Sequence, residues 1–234
     1  MKLLAFFLLL PIVVFSQKQK PKNYLRFDEK KYTFGFMIGG NRSNFTLMEE
    51  SDLLLNYGVR AISSDWVAGG QVGPVMTMRL TRTPFLRLRL MPSYSFQERQ
   101  LNYTFVNESL MSIENKERIH SSVFDLPVML QFRTLRVNNF ASYFLLGGQF
   151  SIDMQSQENA SQNFTDPFIK LNRFDYSGQL GVGVEFFMPF YKFGMEIKYQ
   201  HGLMNSHIKD NAVIAQPIDR LYNKVWWFSL IFEG

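Results

Sequence analysis

Residues 85–97, FLRLRLMPSYSFQ, alternate with a period of two. Leu86, Leu88, Leu90, Tyr94 and Phe96 share one parity, while Arg87, Arg89, Met91, Ser93, Ser95 and Gln97 share the other. That period belongs to an extended strand, whose successive side chains point to opposite faces. Two folds accept such a strand. In a soluble sheet the apolar face meets a core and the arginines meet water. In a bilayer the aliphatic and aromatic face meets lipid, and the charges face the inside of a closed barrel.

The start of the chain gives the compartment. Met1 and Lys2 form a short basic beginning, residues 3–15 are apolar apart from Pro11, and Val14 and Ser16 are the small residues at the minus-three and minus-one positions before Gln17. Residues 1–16 therefore read as a cleavable export signal. The apolar run is too short for a spanning anchor, which needs about 20 residues. Charges and prolines interrupt every later apolar run, so a membrane reading of the mature chain requires strands. The chain has no cysteine, which excludes a disulfide framework, thiolate metal sites and cysteine nucleophiles.

The same alternation recurs along the chain. Strands are expected at 33–41, 66–80, 85–97, 123–133, 142–154, 174–187, 192–202 and 225–232. The connections between them alternate long, short, long, short, long, short, long. Outer-membrane barrels have short periplasmic turns, long external loops and both termini on the periplasmic side. An eight-stranded immunoglobulin-like sandwich has no reason to sort its loops this way. Tracing the strands up and down collects Phe85, Phe132, Phe144, Phe186, Phe193 and Phe232 near one rim. It collects Tyr94, Phe96, Phe124, Phe150, Tyr176, Tyr199 and Trp226 near the other. Two such bands suit interfacial girdles. The expectation is an all-β fold, an eight-stranded antiparallel transmembrane β-barrel over residues 32–234 with short periplasmic turns and long extracellular loops, in the bacterial outer membrane.

Eight strands enclose a space just wide enough for side chains. The inward parity contains Arg79, Arg87, Arg89, Arg99, Arg133 and Lys198 against Asp125, Asp175, Glu185 and Glu196. Unpaired charges there are costly, so the pattern predicts a packed ionic lumen with a structural role. Residues 17–31 form a basic segment carrying Lys18, Lys20, Lys22, Arg26, Lys30 and Lys31 against Asp28 and Glu29. It reads either as a solvated flexible tail or as a docking segment for acidic headgroups or a partner. The net charge of +5 is too mild to predict nucleic-acid binding. His120 beside Ser121 and Ser122, and His201 with His207, are the residues a catalytic reading has to use. No nucleophile motif surrounds them, and the histidine spacing matches no standard ligand pattern. No catalytic residue, metal site or cofactor is assigned.

Several segments together resemble a known family. Residues 27–41 (FDEKKYTFGFMIGGN), 124–150 (FDLPVMLQFRTLRVNNFASYFLLGGQF), 181–203 (GVGVEFFMPFYKFGMEIKYQHGL) and the closing SLIFE resemble the PorT/SprT outer-membrane proteins of the Bacteroidetes. The resemblance is most specific around Arg136, Asn138 and Asn139, and around Pro189, Phe190 and Tyr191. It implies a non-enzymatic component of the type IX secretion and gliding apparatus, with outer-membrane lipid and other secretion-system proteins as partners. The alternative is a stand-alone OmpX-like or adhesin-like barrel whose external loops bind an extracellular partner.

Overall fold

The computed structural model describes residues 22–51, 56–106, 112–156, 158, 169–210, 212 and 214–234. Residues 1–16, Lys18 and Lys20 lie outside the described residues. The described chain forms ten strands: β1 (Tyr32–Glu49), β2 (Val59–Asp65), β3 (Val67–Arg79), β4 (Leu86–Leu90), β5 (Ser93–Val106), β6 (Ser112–Arg133), β7 (Phe140–Asp153), β8 (Phe174–Phe187), β9 (Lys192–Gly202) and β10 (Ile218–Glu233). They build eight walls. Trp66 interrupts the wall of β2 and β3, and Met91 with Pro92 interrupts the wall of β4 and β5. A proline has no N–H to give the ladder, which makes the second break intelligible.

All pairings are antiparallel, and β1 joins β10 on one side and β3 on the other. The ring is therefore closed where all eight walls pair, which removes the exposed sheet edge over that span. The end where β1 begins and β10 finishes carries the short connections and is termed the turn end. The opposite end is the loop end.

Alternation decides the two faces of the wall. Phe34, Phe36, Ile38, Val72, Tyr94, Phe96, Val182 and Phe228 are exposed on the outside, whereas Met37, Arg89, Ser95, Gln131 and Ser229 are buried inside. The aromatic rings near the turn end touch one another around the belt. Phe85 meets Phe132 at 6.1 Å, and Phe132 meets Phe144 at 6.4 Å between centroids. Phe186, Phe193 and Phe232 continue the series at 6.4 and 5.2 Å. Near the loop end Tyr94 packs on Phe96, Phe150 on Tyr176, and Tyr199 on Trp226.

Two sequence expectations need correction. The long polar stretches are not simply loops: β1 runs on to Glu49, β2 begins at Val59, β5 reaches Val106, β6 starts at Ser112 and β10 starts at Ile218. These extensions escape an apolar-out pattern because they stand beyond the apolar belt. They hold a second core of Phe45, Val59, Ile62, Leu101, Tyr103 and Ile169, joined by Ile214, Ile218 and Leu221. The second correction concerns residues 22–31, which are not a solvated tail. Leu25–Glu29 forms a 3-10 helix at the turn end, and Phe27 is 1% exposed. The local sequence is polar, but Phe27 finds an aromatic slot beside Phe187, with ring centroids 5.6 Å apart.

Candidate functional site

The candidate site is the barrel interior and its two closures. It is built in layers, because inward residues two apart on each strand stack along the axis.

At the turn end Asp28 closes the mouth. Its carboxylate accepts from Arg87 at 3.1 Å and from Arg133, and its backbone carbonyl accepts from Arg79 at 2.6 Å. Asn23 donates to the Asn139 side chain at 2.8 Å and to the Phe187 carbonyl at 3.1 Å, which fixes the start of the segment against the turn between β6 and β7. The Arg136 guanidinium lies over the Phe187 ring at 3.8 Å.

The next layer is ionic. Arg89 donates to Glu196 at 2.9 Å and to the Gln131 side-chain Oε1 at 3.2 Å, and it lies 3.4 Å from Glu233 and 3.7 Å from Glu185. Glu185 also pairs with Arg133 at 2.9 Å and with Lys192 at 2.8 Å. Lys192 reaches Glu233 at 2.7 Å, and Lys198 reaches Glu196 at 3.0 Å. Five cations, Arg87, Arg89, Arg133, Lys192 and Lys198, thus meet four carboxylates, Asp28, Glu185, Glu196 and Glu233. The Tyr143 hydroxyl donates to Glu196 at 2.9 Å. Its ring fits because residue 183 is glycine: a Cβ there would come within 2.3 Å of the tyrosine ring.

One inward step toward the loop end, Met37, Met91, Met129, Leu145 and Ile231 form an apolar layer. Above it the lumen turns to amides and hydroxyls. Asp125 accepts from Ser95 at 2.6 Å, Gln149 at 2.6 Å and Ser151 at 2.7 Å. Trp227 donates from its ring nitrogen to Gln200 at 2.7 Å. Arg99 donates to Gln97 and, at 3.3 Å, to Ser121. Asp175 accepts from Asn223 at 2.7 Å. A cavity of about 30 Å³ remains between Arg99, Asp175, Gln200 and Asn223, room for roughly one water molecule.

The sequence-predicted residues therefore do not form one network. Arg87, Arg89, Arg133, Glu185, Glu196 and Lys198 come together in the ionic layer. Arg99, Asp125 and Asp175 stand apart from it beyond the methionines, because successive inward positions climb the axis. Arg79 is half-buried at the rim. Sequence reasoning left out Asp28, Lys192 and Glu233 as members. Lys192 and Glu233 share the inward parity of their strands and were available to that signal, whereas nothing periodic marks Asp28. Lys22, Arg26, Lys30 and Lys31 are exposed at the turn end, with Lys30 donating to the Tyr24 hydroxyl at 2.7 Å.

The residues of the catalytic reading are not assembled. His120 is exposed and 3.6 Å from Glu98, while its neighbour Ser121 is buried on the opposite face. His201 stacks outside between Tyr199 and Tyr222. His207 is buried beneath the loop end, bridged to Leu171. Its imidazole is held below the ordinary value of 6.5, chiefly by burial. Among the described residues no group of three or more His, Cys, Asp or Glu is arranged to hold a metal ion.

Among solved structures the chain is similar to the outer membrane protein OprG from Pseudomonas aeruginosa, at 14% identity and a TM-score of 0.46 over 93% of this chain and 98% of that one. It is similar to Neisserial surface protein A at 8% identity and a TM-score of 0.41, covering 86% and 98%. It is also similar to Ail, the attachment invasion locus protein of Yersinia pestis, at 12% identity and a TM-score of 0.37, covering 88% and 100%. No curated sequence matches the chain. A family model described as an outer membrane protein beta-barrel domain matches residues 15–207. With a closed ring of strands, an apolar exterior and a matched stretch spanning most of its length, this chain belongs to the outer membrane protein beta-barrel domain family.

Proposed function

We propose that this protein is a non-conducting, non-enzymatic outer-membrane component that works by presenting its two ends to other molecules. Its short turns and both termini face the periplasm, and its export signal is residues 1–16. The observation that carries this reading is the filled interior. The Asp28 mouth, the ionic layer and the methionine layer fill the interior one after another with buried, mutually contacting side chains. A barrel blocked in this way transports nothing through itself, so its surfaces do the work. Planar-bilayer recordings of the purified protein are expected to give no stable single-channel current, and a reproducible large conductance overturns the reading.

The resemblance of residues 27–41, 124–150 and 181–203 to the PorT/SprT proteins supports a finer assignment, a structural or assembly part of the type IX secretion and gliding machinery. The lumen charges then serve a structural purpose, and the basic residues 17–31 and the periplasmic turns meet the partners. Deleting the gene is expected to abolish export of cargo carrying a C-terminal sorting domain. Normal export from the deletion strain refutes the assignment.

One observation favours a second reading. The loop end carries a folded cap with its own apolar core, a surface suited to a stand-alone barrel that binds an extracellular partner. Under that reading the deletion leaves export unchanged, and binding to host or matrix material is lost instead.

A further inference from the structure

The turn mouth has the construction of a binding pocket rather than a gate. Phe27 occupies a slot against Phe187 and Ala141, with the Arg87 guanidinium 5.4 Å and the Lys192 ammonium 4.8 Å from its ring centroid. Beside the slot, Asp28 is clasped through its carboxylate by Arg87 and Arg133 and through its carbonyl by Arg79. An aromatic ring next to a carboxylate is what this arrangement of cations and apolar surface selects. The clasp retains spare capacity: Nη2 of Arg133 and Nε of Arg87 are buried with no hydrogen-bond partner among the described residues. The occupant is held by its contacts and not by local preference, since Tyr24, which leads into it, has φ 47° and ψ 56°, a left-handed conformation unfavourable for a tyrosine.

Behind Phe27 and Asp28 the interior is filled. Directly behind them lie Arg89, Glu185 and Glu233, and then Met37, Met91 and Met129. The vacated mouth is a blind pocket lined by arginines and one aromatic wall.

We propose that the turn mouth is a recognition site for an aromatic–acidic peptide segment, that Phe27–Asp28 is its resident occupant, and that a partner protein engages the barrel by supplying the same pair in its place. The inference deepens the interaction-component reading and rests on it for the partner. Its test uses purified protein and is independent of the export assay.

The probe is a fluorescein-labelled peptide with the sequence of residues 23–30, titrated onto the full chain in detergent. A tethered copy competes at an effective concentration on the order of millimolar, so wild type is expected to bind the probe at least about tenfold more weakly than a Phe27→Ala/Asp28→Ala full chain. A probe carrying Asp28→Asn is expected to lose about tenfold against that variant. Equal binding of both probes, or no binding by a variant whose heat-modifiable gel mobility shows a folded barrel, overturns the proposal. So does displacement of the probe by inorganic phosphate as effective as by unlabelled peptide, because the aromatic slot would then contribute nothing. Should the double variant not refold, the near-isosteric Asp28→Asn full chain answers the same question by trypsin cleavage after Arg26. Faster cleavage than in wild type supports the clasp, and an unchanged rate overturns it.

Discussion

The turn-end half and the loop-end cap of this barrel obey opposite rules, and β5 passes through both. In its lower part the inward residues Ser93, Ser95, Gln97 and Arg99 are polar and buried, while Tyr94 and Phe96 are exposed outside. Two residues farther on, the inward positions become Leu101 and Tyr103, both fully buried, and the outward positions become Gln100 and Asn102. β1 makes the same change, from exposed Phe34, Phe36 and Ile38 to buried Phe45. The inversion follows from what wets the outer surface. Beside hydrocarbon the exterior has to be apolar, and the interior takes the charges. Beside water the hydrophobic effect restores an apolar inside. The level where a strand's two faces exchange character marks where lipid gives way to water.

The two halves are accordingly expected to fail differently. Glu185→Gln strikes the ionic layer. It leaves Arg133, Lys192 and Arg89 short of one carboxylate in a buried site, and breaking a buried pair of this kind costs about 3–5 kcal/mol. The loss should appear as a lower urea midpoint for the heat-modifiable band of the whole barrel.

Leu101→Ala strikes the cap, where Leu101 is 0% exposed. Emptying that position costs about 3 kcal/mol, and the cost should be confined to the loop end. Amides of β2 and of residues 203–210 and 214–217 should lose exchange protection while the urea midpoint of the barrel stays put. A global loss as large as that of Glu185→Gln would show that the two halves unfold as one unit.

The smallest effect is in pH. Burial holds His207 neutral, with Lys209 acting in the same direction and the Ala215 backbone and Asp219 opposing. Its value in the folded cap is below that in the unfolded chain, so its contribution is complete above about 6.5 and is lost as pH falls through its own lower value. Exchange of cap amides should accelerate on acidification, and His207→Gln should flatten that response.

How far these features were legible in the sequence depends on periodicity. The eight walls, their inward and outward faces and both aromatic bands can be read from strand alternation together with the long and short connections, which settle that Leu86, Leu88 and Leu90 face lipid and Arg87 and Arg89 face inward. The separation of Arg99, Asp125 and Asp175 from the ionic layer is not legible, since parity gives the side of a residue and not its height on the axis. The cap is hidden for another reason. Phe45, Val59, Ile62, Leu101 and Ile214 come from four separate stretches, and only the closed ring brings them together. Asp28 is the hardest case: in a basic stretch one of two adjacent acids looks incidental until three arginines from three strands surround it.

Glu233 carries a consequence for how the barrel is made. From β10 it accepts from Thr33 of β1 at 3.1 Å and from Thr77 of β3 at 3.0 Å, while pairing with Lys192 and Arg89. It therefore stands across the seam where the first and last strands anneal. Lys192, on the neighbouring β9, has Glu233 as its direct cross-strand partner before the seam closes, whereas Arg89, Thr33 and Thr77 meet it only once β1 and β10 have paired. A slip of one residue would turn Glu233 out to lipid. Closing the seam in register is thus what brings Glu233 to Arg89 and to both threonines at once.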